Sequence, residues 1–104
     1  MNPWRHLVVL FRRLTRAATV RILRHRVEYR YPSLIDHPTA VWDYGYADLD
    51  AITLGTGVNI QAFTEIVVRK RATFSATPGR LEIGDGVVIG AGVNIRAAGG
   101  TITI

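Results

Sequence analysis

From Leu54 onward the aliphatic residues fall six apart. Leu54, Ile60 and Ile66 form one series, Ile83, Ile89 and Ile95 a second, and Ile102 and Ile104 open a third. Gly, Asp, Asn, Thr and Ala stand between them, as in IGDGVV followed by IGAGVN. A period of six fits neither the repeat of an amphipathic helix nor the alternation of a long strand. It is the period of a hexapeptide β-helix, in which each hexad supplies a short strand and a corner, and three hexads wrap once around a triangular prism. Coils stack at the inter-strand spacing of about 4.8 Å. The branched aliphatic residue then points inward, filling the prism without introducing a polar atom.

Two nine-residue stretches, LGTGVNIQA (54–62) and IGAGVNIRA (89–97), share the core GVNI. In this reading Gly serves a corner that needs positive φ, which most L residues avoid. Val and Ile serve wall and core. Asn59 and Asn94 are expected as corner formers or members of a stacked ladder, not as catalytic groups. Leu54 and Ile83 are separated by one 18-residue coil plus an excess of 11, so VVRKRATFSATPGR is expected to hold a loop that leaves the prism. Between Ile83 and Ile104 a three-residue excess falls in RAAGGTIT. Rigid solenoids place binding groups on such loops, which makes Arg69, Lys70 and Arg71 candidates for a phosphate or other anion, against a plain solvated surface run.

Residues 1–30 have a different period. Trp4, Leu7, Phe11, Leu14, Ala18 and Ile22 recur three and four apart within residues 3–26, Pro3 suits a first helical turn, and Arg5, Arg12, Arg13, Arg16 and Arg24 fall on the other side. Arg21 and Arg26 lie near the margins of the stripe. This predicts a basic amphipathic helix. Of the thirteen basic residues eight lie in residues 1–30, and the first acid is Glu28, so the net charge of +5 is a terminal feature. Residues 4–26 fit attachment to an anionic membrane surface, or docking on the chain's own domain or a neighbouring subunit. Nucleic acid is not expected, because no aromatic-interleaved basic sheet or base-reading motif accompanies the charge.

Residues 31–53 form an aromatic-rich cap segment, broken by Pro32, Pro38 and Gly45. It is expected as a linker with short strands, its aromatic side chains, with Tyr29, making a hydrophobic plug. The expected organisation is a basic helix (1–30), this cap (31–53) and an incomplete hexapeptide β-helix of about two coils (54–104). With 48% hydrophobic residues the 104-residue chain can bury one core. No apolar run approaches a bilayer span; the longest near the N-terminus is LVVLF. Zero cysteines exclude disulfides and thiolate metal sites and fit the cytoplasm, at most peripheral to the inner face of a membrane. No phosphate loop, paired-His zinc motif or nucleophile elbow occurs, so a metal site is not expected.

LGTGVNIQAFTEI, LEIGDGVVIGAGVNIRAAGG and TITI resemble the left-handed β-helix acyltransferases, the hexapeptide-repeat transferases. The preceding YPSLIDHPTAVWDYGYADLDAITLG resembles members that serve bacterial capsule and exopolysaccharide synthesis as O-acetyltransferases. The resemblance implies a mainly β, left-handed parallel β-helix behind the N-terminal helix. It also implies homotrimers with active sites between neighbouring prisms, and transfer of acetyl from acetyl-coenzyme A, a co-substrate and not a resident cofactor, to a saccharide hydroxyl. A histidine acts there as general base and backbone N–H groups stabilise the oxyanion. The histidines of this chain are His6, His25 and His37, none of them in the hexads. His6 and His25 are expected on the surface of the helix. Asp36 and His37, adjacent on an extended segment, point oppositely and form no dyad. The catalytic residues and those that bind acetyl-coenzyme A are therefore unassigned. TITI reads as the first strand of a further coil, so the chain is expected to be an N-terminal fragment, inactive alone. The alternative is a non-catalytic β-helix module for oligomerisation or membrane-surface interaction.

Overall fold

The computed structural model describes residues 3–71 and 73–104; within the helix the side chains of Pro3, His6, Phe11 and residues 13–17 lie outside the described set. Helix α1 (Pro3–Arg30) leads into nine short strands. These are β1 (Ile35–Asp36), β2 (Val41–Tyr44), β3 (Ile52–Leu54), β4 (Asn59–Ile60), β5 (Glu65–Arg69), β6 (Arg80–Ile83), β7 (Val88–Ile89), β8 (Asn94–Ala98) and β9 (Thr101–Thr103). They pair only in parallel and build three sheets, β1-β4-β7, β2-β5-β8 and β3-β6-β9. Every third strand shares a face, the topology of a three-sided parallel β-helix of three coils.

The six-residue spacing sets the register. Leu54 stacks on Ile83, Ile60 on Ile89 and Ile66 on Ile95, and all six side chains are buried. Leu81 continues downward to Ile102. The coil from Leu54 to Ile83 contains the expected excursion, an irregular stretch between β5 and β6. The count of two coils is corrected to three. The cap segment is itself the first coil, with β1, β2 and β3 pairing in register with β4, β5 and β6. Its hexads are hard to see because Asp36 and Trp42 occupy the inward positions above Ile60 and Ile66, and a turn with a 3₁₀ segment (Leu49–Ala51) lengthens the coil.

The corners decide why GVNI occurs twice. Gly57 and Gly92 have φ of 69° and 71°, where a side chain is strained. The two stretches are not equivalent rungs, however. Gly57 precedes β4, whereas Gly92 precedes β8, on the next face of the prism. Asn59 lies between Ile35 and Val88, and Asn94 pairs with Glu65, so the two Asn form no ladder. Neither has positive φ; among the described residues Phe63 is the one non-glycine that does, at 59°.

The helix closes the upper end. Leu23 and Val27 are buried with Trp42 and Tyr44 in the main core, against which Tyr31 packs half-buried. Tyr29 and Tyr46 remain exposed, so the expected aromatic plug consists of three of its five members. The upper edge of the first coil presents backbone carbonyls to the helix, of which that of His37 also accepts from the Ala40 N–H. Arg24 donates to four of them, at Asp36 (3.1 Å), His37 (2.6 Å), Pro38 (2.9 Å) and Ala40 (3.0 Å). Tyr31 Oη donates to the Ile52 carbonyl, and Tyr44 Oη to the Leu23 carbonyl of the helix. Arg24 thus does not lie on a solvated polar face, which corrects its expected position.

Candidate functional site

His37 sits at the corner between β1 and β2. Its Nδ1 accepts from the Thr39 N–H (3.1 Å) and lies 2.8 Å from Thr39 Oγ1, which in turn accepts from the Phe63 N–H. This is a corner-forming network tying the first coil to the second. Asp36 points the other way, as alternation requires. Its Oδ2 accepts from Trp42 Nε1 (3.1 Å) and lies 3.3 Å from Arg24 Nη2. Burial raises the Asp36 pKa above its ordinary value, while the Arg24 cation and the Trp42 hydrogen bond pull it down. The two neighbours form no dyad. His25 is exposed on α1, its Nδ1 3.6 Å from Glu28 Oε2, an ion pair only when the imidazole is protonated. The side chain of His6 lies outside the described residues.

The basic triplet is split by carboxylates of the first coil. Arg69 Nη2 meets Asp43 Oδ1 at 2.9 Å and Arg69 Nη1 also donates to the Asp43 carbonyl. Lys70 Nζ donates to Asp50 Oδ2 at 2.8 Å, and this hydrogen bond holds the Asp50 carboxyl below its ordinary pKa. Arg71 is exposed on the rim of a groove shared with Lys70, Ser75, Ala76 and Pro78. The positive charge that suggested an anion site is therefore largely committed to bracing the excursion against β2 and the following turn. Among the described residues no three His, Cys, Asp or Glu side chains converge as a metal site.

The exposed apolar feature among the described residues is the outer face of α1. At about 100° per residue, Trp4, Leu7, Ala18 and Ile22 share one side, and Leu23 and Val27 lie on the opposite side. The burial follows this division. Leu23 and Val27 enter the core, whereas Trp4 is 71% and Ile22 47% exposed, and Leu7 and Ala18 are exposed too. The helix docks on its own domain through the short Leu23–Val27 pair and not through the long stripe. Phe11, Leu14, Arg13 and Arg16, which the spacing adds to the two sides, lie outside the residues whose side chains are described. Near the C-terminal end of α1 an open groove of about 850 Å³ is lined by Ile22, His25, Arg26, Tyr29, Arg30 and Leu49. Arg26 lies over the Tyr46 ring, 4.5 Å from its centroid, and donates to the Tyr46 carbonyl.

Comparison of the chain with protein-family models, curated proteins and solved structures returned no match. The parallel β-helix with its N-terminal helix stands on the strand register alone. No described helix is long and apolar enough to cross a membrane.

Sequence reasoning missed Arg24. Its signal was the Leu23/Val27 pair, four residues apart on the side opposite the stripe, with Arg24 and Glu28 beside it at the same spacing. Two short i,i+4 pairs next to a long stripe mark a helix with two separate apolar faces.

Proposed function

We propose that this chain forms the N-terminal part of an acyltransferase that moves acetyl from acetyl-coenzyme A to a hydroxyl of a bacterial surface saccharide. The observation that carries the proposal is the stack of Leu54–Ile83, Ile60–Ile89 and Ile66–Ile95, one aliphatic pair on each wall of the prism. Such a prism is rigid, and rigid faces set side by side hold a thioester and an acceptor hydroxyl in fixed relation. In this reaction a base takes the hydroxyl proton as the oxygen attacks the thioester carbon. The C–O bond forms, the C–S bond breaks, and coenzyme A departs as a thiolate that takes up a proton. His37 is held in a corner network and His25 stands on the helix, neither on a prism wall, so this reading assigns the base to neither. Exposed Ile35 and Val88 on one wall and Phe63 at its corner support a side-by-side homotrimer.

Release of coenzyme A thiol, measured with acetyl-coenzyme A and a panel of saccharide acceptors, tests the proposal. The 104-residue chain is expected to release none above buffer. The protein translated from the same gene past codon 104 is expected to release thiol and to lose the activity when a histidine of its additional coils is replaced. A stop codon followed by unrelated sequence, or a longer protein that releases no thiol with any acceptor, refutes it. The second reading is a non-catalytic β-helix that oligomerises or sits on a membrane surface. The exposed stripe of α1 favours it, and thiol release separates the two.

A further inference from the structure

We propose that α1 is an in-plane anchor that seats the β-helix on an anionic lipid bilayer, its Trp4–Ile22 side in the interface and its Leu23–Val27 side on the protein. Three observations converge. Trp4, Leu7 and Ile22 are large apolar residues exposed on one side of the helix, exposed Val8 and Leu10 flank that side and Val9 lies on the far side, and Tyr29, 90% exposed, continues the Trp4–Ile22 side to the C-terminal end. A helix of 28 residues spans about 42 Å, so this side is a long strip with an aromatic residue at each end. The buried Leu23 and Val27 attach the domain to the opposite side, and the strip meets the domain at the groove that Ile22 and Tyr29 share with Leu49.

Charge selects the occupant. Arg5, Arg12, Arg21 and Arg30 are exposed, and no acid precedes Glu28. At about 100° per residue Arg21 borders the strip on one side and Arg26, Arg12 and Arg30 flank it on the other, with Arg5 farther round, and long Arg stems let such heads extend towards an interface. Two copies of α1 packed along this side would bring many like charges together with Glu28, already paired with Arg24, as the one carboxylate of each helix, which disfavours a second copy. Nucleic acid would answer the charge but leave the apolar strip in water. An anionic bilayer answers both, taking the apolar side to a depth of about 5–10 Å and setting headgroups against the guanidinium groups. Arg24 and Arg26 take little part, because they are engaged with the first coil and with Tyr46.

The test is sedimentation of the intact chain with phosphatidylcholine vesicles, with and without phosphatidylglycerol. The chain is expected to sediment only with the phosphatidylglycerol vesicles, and binding is expected to fade at about 1 M salt, where the Debye length is about 3 Å. Arg5→Gln, Arg12→Gln and Arg21→Gln together should weaken partitioning by about 100-fold, from roughly 1 kcal/mol per basic residue at the surface. Leu7→Glu with Ile22→Glu should abolish it. Trp4 emission should shift to the blue on binding, while Trp42, already in the core, stays constant. All the substituted residues are exposed, so an unchanged circular dichroism spectrum shows that the variants fold. Equal binding to neutral vesicles, binding that survives Leu7→Glu/Ile22→Glu, or no vesicle binding overturns the proposal. Self-association abolished by Leu7→Glu/Ile22→Glu, with no vesicle binding, assigns the strip to a second copy and also overturns it. Because vesicle binding and thiol release are separate measurements, this anchor and the acyltransferase reading fail independently.

Discussion

Replacing Arg24 with Met keeps most of the stem of the side chain and removes the group that seals the upper edge of the prism. Four carbonyls lose a charged donor. Those of His37 and Pro38 are exposed and take water instead. Those of Asp36 and Ala40 are part-buried, at 3.1 and 3.0 Å from the guanidinium. With hydrogen bonds to charged groups worth about 1.5–3 kcal/mol each, these two account for about 3–6 kcal/mol. The Asp36 carboxylate, with 6% of its side chain exposed, also loses the cation 3.3 Å away, and breaking a part-buried pair from one side costs about 3–5 kcal/mol by itself. The two figures describe overlapping losses, so Arg24→Met is expected to cost about 3–5 kcal/mol, a large share of the roughly 5–15 kcal/mol that holds a domain folded. Urea unfolding followed by Trp42 emission measures it, with Arg21→Met, an exposed site on the same helix, as control within about 0.5 kcal/mol. Acidification adds a signature. Burial already raises the Asp36 pKa, and loss of Arg24 raises it further, so the folded variant holds this proton more tightly than its unfolded chain. Its deficit relative to wild type should shrink as pH falls from the folded pKa of the variant towards the lower folded pKa of the wild type. Asp36→Asn in the Arg24→Met background should restore part of the loss. An Arg24→Met protein within about 1 kcal/mol of wild type, with no pH dependence of the difference, would refute the idea that this guanidinium closes the coil.

Phe63 occupies a left-handed corner with its ring 75% exposed, so Phe63→Asn should relieve about 1–2 kcal/mol of backbone strain for little lost burial, and a higher melting temperature is expected. A fall in melting temperature would show that the ring contributes packing. Ile66→Ala, between Trp42 and Ile95, should cost about 2–5 kcal/mol in urea unfolding, whereas Val88→Ala on the outside of β7 should stay within about 0.5 kcal/mol. Similar costs at the two positions would contradict the assigned inward and outward faces. Tyr44→Phe removes the donor to the Leu23 carbonyl and should cost about 1–2 kcal/mol, seen as loosened helix docking in hydrogen exchange at α1.

The lower two coils were legible because their inward positions are Leu and Ile at strict spacing, and a stacked interior tolerates little else. The first coil was not, since Asp36 and Trp42 hold inward positions and a polar pair can stand there only because Arg24 arrives from the helix to meet it. That partnership crosses from residue 24 to residue 36 and leaves no periodic trace. The helix itself was legible, but its docked side was not, because Leu23 and Val27, the two buried residues among those of α1 whose side chains are described, make a weaker pattern than the exposed Trp4, Leu7, Ala18 and Ile22. Among the candidate residues, the alternation rule correctly separated Asp36 from His37. The charges of Arg69 and Lys70 look available in a linear string and are not, since their partners Asp43 and Asp50 sit 26 and 20 residues away on the coil above.

The guanidinium seal gives the prism a polarity. Its upper rim is finished: carbonyls there meet Arg24 and Tyr31, and a rung inserted above β1–β3 would have to evict the helix. Duplication of hexads can lengthen such a molecule only from beneath. Any lengthened descendant would keep its helix in contact with the same first rung, so growth would push new walls farther from the helix while leaving its attachment unchanged.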